Sequence, residues 1–178
     1  MSAHAGGDAQ WLASREHIKE LKARYCRYID TKQWQRLATL FTDDCRFEGL
    51  GSAPAGADVA TFVAGVSSRL APTISVHHCH MPELVATGPD TARGIWSMED
   101  FVEWTDGSTV KETPGSRGFY GYGYYEEEYR REGGRWKISF LRLARLRIDA
   151  VPADQPAPRM GQRAPTPGWL DGAGYADR

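Results

Sequence analysis

The change of hydrophobic period at Pro72 constrains this chain more than any other feature. Upstream of it apolar residues recur at helical spacing, and downstream they alternate. Ile18, Leu21, Tyr25, Tyr28 and Ile29 form one helical stripe, with Ser14 as its expected cap. Asp30-Thr31-Lys32-Gln33 reads as a capping box opening a second helix, which carries Trp34, Leu37, Leu40 and Phe41 and stops near Asp43-Asp44. A short strand from Cys45 to Leu50 follows, then a loop of sequence GLGSAPAGA. A third helix begins at Asp58, with Val59, Phe62, Val63, Val66 and Leu70 on one side.

Beyond Pro72, Ser75–Ala86 has strand composition and Gly88-Pro89-Asp90 is a turn. Thr91–Trp104 alternates, with Ala92, Gly94, Trp96, Met98 and Asp100 on one face. Thr105-Asp106-Gly107 is the next turn, and Lys111–Arg117 a longer polar loop. Gly118–Arg131 is a tyrosine-rich strand, Glu132-Gly133-Gly134 a hairpin turn, and Arg135–Asp149 the last long strand. Three helices followed by four hairpin-linked strands make an α+β fold, an antiparallel sheet with helices on one face. A strongly curved sheet covered this way closes into a cone with a pocket at its wide end. Residues 1–13 are expected to be a flexible arm, 14–151 the folded domain, and 152–178 an extended Pro/Gly-rich tail anchored by Trp169 and Tyr175.

At 178 residues, with six Trp, eight Tyr and six Phe, the chain can fill one core. The net charge of -1 and the mixing of acids with bases exclude the basic stripe of a nucleic-acid binder. Arg142, Arg145 and Arg147 alternate with apolar residues, as in a strand. No apolar run is long enough to span a bilayer and MSAHAGGDAQ lacks the blocks of a secretory signal, so a cytoplasmic protein without a membrane partner is expected. Cys26, Cys45 and Cys79 are odd in number and unpatterned, which suits buried free thiols.

A few residues could carry chemistry. Asp30 is either a helix cap or a cavity carboxylate, and the two roles are compatible. Three of the five histidines fall in Ser75-Val-His-His-Cys-His-Met-Pro-Glu83. His78 and His80 share a strand face and His77 points the other way. The alternate pair could begin a zinc site, but no third or fourth ligand is placed by the sequence. A histidine beside a carboxylate is otherwise the usual acid–base partnership near neutral pH. Asp100 either leaves the inner face into solvent or points into a wet cavity. Arg145, expected to share a face with Leu143 and Arg147, is its partner on charge grounds.

The stretches IKELKARYCRYIDTKQW, ISVHHCHMPEL, ARGIWSMED with TDG after it, and GGRWKI make the chain recognisable. From about Ile18 to Asp149 it resembles the SnoaL-like branch of the nuclear transport factor 2-like superfamily, cone-shaped α+β proteins. Within that branch it resembles the bile-acid 7α-dehydratases and, more distantly, the scytalone dehydratases. The resemblance places the active-site tyrosine and aspartate on Tyr25 and Asp30, the histidine on His77, the second aspartate on Asp100 and the arginine on Arg145. His77 in that role requires a bulge near the start of its strand if Leu84 and Ala86 face inward. What it implies is a dehydratase that needs no cofactor and no metal. Such an enzyme would eliminate water from a small, largely apolar hydroxylated cyclic ketone or enone, such as a steroid or polyketide. Asp30, His77 and Tyr25 would be catalytic, and Asp100, Arg145, His78 and Trp96 would contact the substrate. An isomerase, a cyclase or a non-catalytic binding and oligomerisation module on the same scaffold is the alternative. A homodimer or homotrimer is expected from the same likeness.

Overall fold

The computed structural model describes residues 3–108, 110–154, 156, 166 and 168–171, with side chains from Ala9 onward. In chain order the elements are α1 (Ala3–Asp30), α2 (Trp34–Ala38), β1 (Phe41–Glu48), α3 (Val59–Leu70), β2 (Thr73–Gly88), β3 (Thr91–Trp104), β4 (Ser116–Glu132) and β5 (Arg135–Pro152). The change of period at Pro72 is the boundary between α3 and β2.

The strands form one curved, unclosed sheet in the order β1-β5-β4-β3-β2. Consecutive long strands pair antiparallel, β2 with β3, β3 with β4 and β4 with β5. The sheet is nevertheless mixed rather than wholly antiparallel, because β1 joins the edge of β5 in parallel. That pairing also explains why the second helix stops early. The Ile138 N–H donates to the Leu40 carbonyl at 2.9 Å, and Phe41, Cys45 and Phe47 turn inward with strand alternation. Sheet pairing with β5 thus outweighs the helical spacing that runs through Leu40 and Phe41.

Two further expectations fail at α1. The helix begins at Ala3 rather than Ser14, so residues expected as an arm form its first turns, and Ser14 lies buried within it. The capping box does not form. Asp30 ends α1, the N-cap of α2 is Gln33 without a side-chain cap bond, and Gln33 Nε2 donates to Thr31 Oγ1 at 2.6 Å. By contrast Asp58 caps α3 as expected, accepting from the Thr61 N–H at 2.8 Å.

Helices α1 and α3 cover the concave face. Ile18, Leu21, Tyr25 and Ile29 from α1 and Phe62, Val66 and Leu70 from α3 meet the inner rows of the sheet, among them Trp96, Met98, Val102, Tyr125 and Ile138. Phe47 stacks on Phe62 with ring centroids 4.1 Å apart. Bulges bend the sheet and reset which residues face in. In β2 the register shifts between Cys79 and Pro82, so that Ser75 and His77 face in before it and Leu84 after it. An irregularity of this kind is what His77 requires, but it lies in the middle of the strand rather than near its start, and Ala86 beyond it is exposed. A second shift lies opposite Tyr122 and Gly123: Arg145 pairs with Gly123, Leu146 is extruded, and Arg147 pairs with Tyr122 on the outer face. Arg145 and Arg147 therefore do not share a face.

The tail is held differently from expectation. Trp169 is 78% exposed and is no anchor; Asp171 instead receives both hydrogen bonds of Arg36 Nη2 at 2.8 Å. Tyr175 lies outside the described residues. Among the described residues no helix is long and apolar enough to cross a membrane.

Candidate active site

Asp30 sits at the C-terminal end of α1, where the helix dipole disfavours a carboxylate by about 0.3–1 kcal/mol. Its position is upheld by three donors from β2. Ser75 Oγ donates to Oδ1 at 2.9 Å, the His77 backbone N–H to Oδ2 at 2.8 Å, and His77 Nδ1 lies 2.7 Å from Oδ1. An ionised carboxylate can only accept, so Nδ1 carries a proton, and in the neutral ring the lone pair is then on Nε2. Asp30 stands behind the ring. Nε2, on the other side, faces a cavity of about 270 Å³ that His77 lines together with Tyr25, Phe62, Asp100, Tyr125 and Arg145.

Asp100 reaches that cavity because β3 alternates without interruption from Ala92. Arg145 grips it with two hydrogen bonds, and its Oδ2 lies 3.9 Å from His77 Nε2. The guanidinium loses solvation on burial, but Asp100 more than offsets this and holds it above the usual arginine range. Tyr25, fully buried on α1, has Tyr125 as its hydrogen-bond partner. Burial above all, with the charge of Glu127, pushes its hydroxyl well above the usual tyrosine range. It is therefore a neutral O–H donor at physiological pH. Arg69 of α3 and Glu112 of the loop between β3 and β4 bond to each other along the same lining.

The structure thus brings together Tyr25, Asp30, His77, Asp100 and Arg145, and leaves out His78 and Trp96. His78 is on the exposed face, its Nδ1 3.3 Å from Glu99 Oε1, with His80 Nε2 3.7 Å from the same oxygen. Alternation in β2 puts it opposite His77. No group of three or more His, Cys, Asp and Glu side chains among the described residues is placed to hold a metal ion. Trp96 faces inward, but its Nε1 donates to Tyr129 Oη at 2.7 Å, and with His78, Cys26 and Cys79 it lines a second cleft between α1 and β2 that His77 also borders.

That Trp96–Tyr129 contact belongs to a buried network outside the expected set. Tyr129 donates to Glu127, which also accepts from Lys22, and both charged side chains are almost wholly buried. Lys22 Nζ lies 3.5 Å from the ring centroid of Tyr125 and 4.1 Å from that of Tyr25. Burial pulls the Lys22 ammonium down, but Glu127 outweighs it and the group stays charged. Lys22 follows Ile18 by one helical repeat and Glu127 alternates with Tyr125 and Tyr129, so each falls on an inward position of its own pattern.

The chain matches the SnoaL-like domain over residues 10–142, well over half its length. It belongs to the SnoaL-like family. A probable cyclase from Gibberella zeae is 26% identical over 139 residues, covering 72% of this chain and 89% of that protein. Among solved structures, a hexachlorocyclohexane dehydrochlorinase superposes with a TM-score of 0.68 at 23% identity, covering 85% of this chain and 97% of its own. A putative scytalone dehydratase from Novosphingobium aromaticivorans superposes with a TM-score of 0.67 at 18% identity, covering 84% and 99%. These structural likenesses establish the SnoaL-like fold, with its open curved sheet over a pocket.

Proposed function

We propose that this SnoaL-like protein is a cofactor-independent dehydratase acting on a small cyclic β-hydroxy ketone. The observation that carries the proposal is His77 itself, tied to Asp30 through Nδ1 while Nε2 looks into the cavity. In that arrangement Nε2 takes the proton from the carbon beside the substrate carbonyl, and Asp30 stabilises the imidazolium that results. Tyr25 donates to the carbonyl oxygen as enolate charge develops there. The imidazolium then returns its proton to the departing hydroxyl, which leaves as water while the carbon–carbon double bond forms. Asp100 lies 3.9 Å from Nε2, where it faces the imidazolium as it forms, and Arg145 holds it in place.

Cavity size narrows the substrate. About 270 Å³ is at or below the lower end of ligand pockets, which run from about 300 to 1,000 Å³. This supports a one- or two-ring polyketide-type substrate over a four-ring steroid. Ring closure by aldol chemistry is the second reading, favoured by the probable cyclase among the relatives, since it begins with the same proton abstraction. Assembly as a homodimer or homotrimer and a cytoplasmic setting remain part of the proposal. The test is to incubate the protein with one-, two- and four-ring β-hydroxy ketones and follow conjugated-enone absorbance. Turnover of the smaller compounds is expected. Proton exchange or ring closure without an enone product would replace the dehydratase with the isomerase or cyclase.

A further inference from the structure

Among the described residues, Lys32 is the only non-glycine with a positive φ, at 60°. Left-handed backbone costs a lysine about 1–2 kcal/mol, and here it is held by the turn that ends α1, where the Lys32 N–H donates to the Ile29 carbonyl at 3.1 Å and the Gln33 N–H to the Tyr28 carbonyl at 2.8 Å. Its ammonium is turned onto β2, where Nζ donates to Ser75 Oγ at 2.9 Å and to Thr73 Oγ1 at 3.3 Å. Thr73 spends its own proton on the Leu70 carbonyl at 2.8 Å, and Ser75 spends its proton on Asp30 Oδ1 at 2.9 Å. The chain of bonds then runs from Asp30 to His77 Nδ1.

The sense of this chain is fixed by chemistry. An ammonium has three donors and no acceptor, so Ser75 Oγ must accept from it and has one proton left to give. That proton goes to Asp30. With Oδ1 accepting from serine and Oδ2 from the His77 N–H, the carboxylate has no donor role left, and the Nδ1 position must hold the imidazole proton.

We propose that Lys32 is a positioning residue that makes Ser75 Oγ an acceptor, directs the serine proton onto Asp30 Oδ1, and so holds the carboxylate against His77 Nδ1. The inference rests on the catalytic reading of that pair and deepens it. Lys32 touches neither the cavity nor the reacting atoms and acts through Ser75. The groups around it are Asp30 from α1, the hydroxyls of Thr73 and Ser75 from β2, and the Trp34 ring of α2 with its centroid 5.9 Å away. Burial pulls the ammonium down to about 8, and Asp30 resists this without cancelling it. Above that pH a neutral amine can accept, and Ser75 is free to turn its proton toward Lys32.

The test is nitrogen-15 NMR of the histidine rings in the full-length labelled chain, with His77→Asn assigning the signals. At pH 7 the native His77 should appear as the Nδ1–H tautomer, with a step in its ring shifts as pH passes about 8. In Lys32→Met the step should vanish and the Nδ1 shift should leave its native value, because Ser75 is then free to turn its proton away and Asp30 Oδ1 loses one donor. In Lys32→Arg, which keeps charge and donors, the tautomer should stay native while the step disappears, and this variant decides the matter if Lys32→Met does not fold. A native tautomer with the step intact in either variant overturns the proposal. No turnover enters this measurement. If His77→Ala abolishes activity while Lys32→Met keeps native ring signals, the catalytic reading survives and the role of Lys32 does not.

Discussion

Arg145 holds both oxygens of Asp100, Nη1 to Oδ1 at 2.6 Å and Nη2 to Oδ2 at 2.5 Å, across the bare backbone of Gly121. The glycine is required by space. A Cβ there would sit 1.9 Å from Arg145 Nη1 and 2.2 Å from Asp100 Oδ1. Gly121→Ala should therefore push the pair apart, lower stability by about 1–3 kcal/mol, and cut turnover at least tenfold. Urea melts and initial rates on the same preparation check both effects. Native values for each would mean that the pair tolerates displacement and does not shape the site.

The Lys22–Glu127 pair is buried with little solvent to absorb a lone charge. Glu127→Ala should cost about 3–5 kcal/mol, because it strands an ammonium and removes the acceptor for Tyr129. The double variant Lys22→Met with Glu127→Leu should recover most of that loss, since it removes both charges and keeps volume. Equilibrium unfolding of the three proteins gives the comparison. A double variant as unstable as the single one would show that packing, not charge, dominates.

Much of this arrangement was legible in the sequence, and the failures have physical causes. Uninterrupted alternation in Thr91–Trp104 put Asp100 on the face of Trp96 and Met98 without deciding between solvent and cavity, and charge alone suggested Arg145 as its partner. Parity failed at Arg147 because Leu146 is extruded, and a bulge leaves no mark in composition. The Asp30–Gln33 spacing imitates a capping box, yet donors from β2, distant in sequence, claim the carboxylate. Lys22 and Glu127 were visible as charges on apolar rows. Nothing in Thr31-Lys32-Gln33 announces a left-handed lysine, since the turn that ends α1 ordinarily takes a glycine there and the partners of the lysine side chain lie far off on β2.

Lys32 also gives stability a pH dependence of definite sign. In the fold its ammonium titrates near 8, against 10.5 ordinarily, chiefly through burial. Between those values the unfolded chain binds more protons, so Lys32 makes stability rise as pH increases through that window. Whatever the gap in melting temperature between Lys32→Met and the native chain at pH 7, it should shift in favour of the native chain by pH 10. Lys32→Gly, freed of the left-handed strain, should gain about 0.5–1 kcal/mol from that source. A gap independent of pH would contradict the titration.

The thiols should differ in reactivity. Cys26 and Cys79 lie 3.5 Å apart at sulfur. The bond from Cys26 brings the Cys79 thiol below its usual range, while the same contact and burial push Cys26 well above. Burial first, with Glu127, drives Cys45 up to about 12. Iodoacetamide at pH 8 should alkylate Cys79 first, as read by peptide mass spectrometry, because the thiolate is the reactive form. Equal labelling of all three would show unfolding or a misassigned contact.

In the proposed elimination of water, His77 backed by Asp30 moves the proton. Its most direct test is enone formation from a compact cyclic β-hydroxy ketone by the native protein, His77→Ala and Asp30→Asn, with folding checked by circular dichroism. The native chain should turn the compound over, with a loss of about 10³-fold or more in His77→Ala and of about 10²-fold in Asp30→Asn. Rates unchanged by either substitution in folded protein would contradict it.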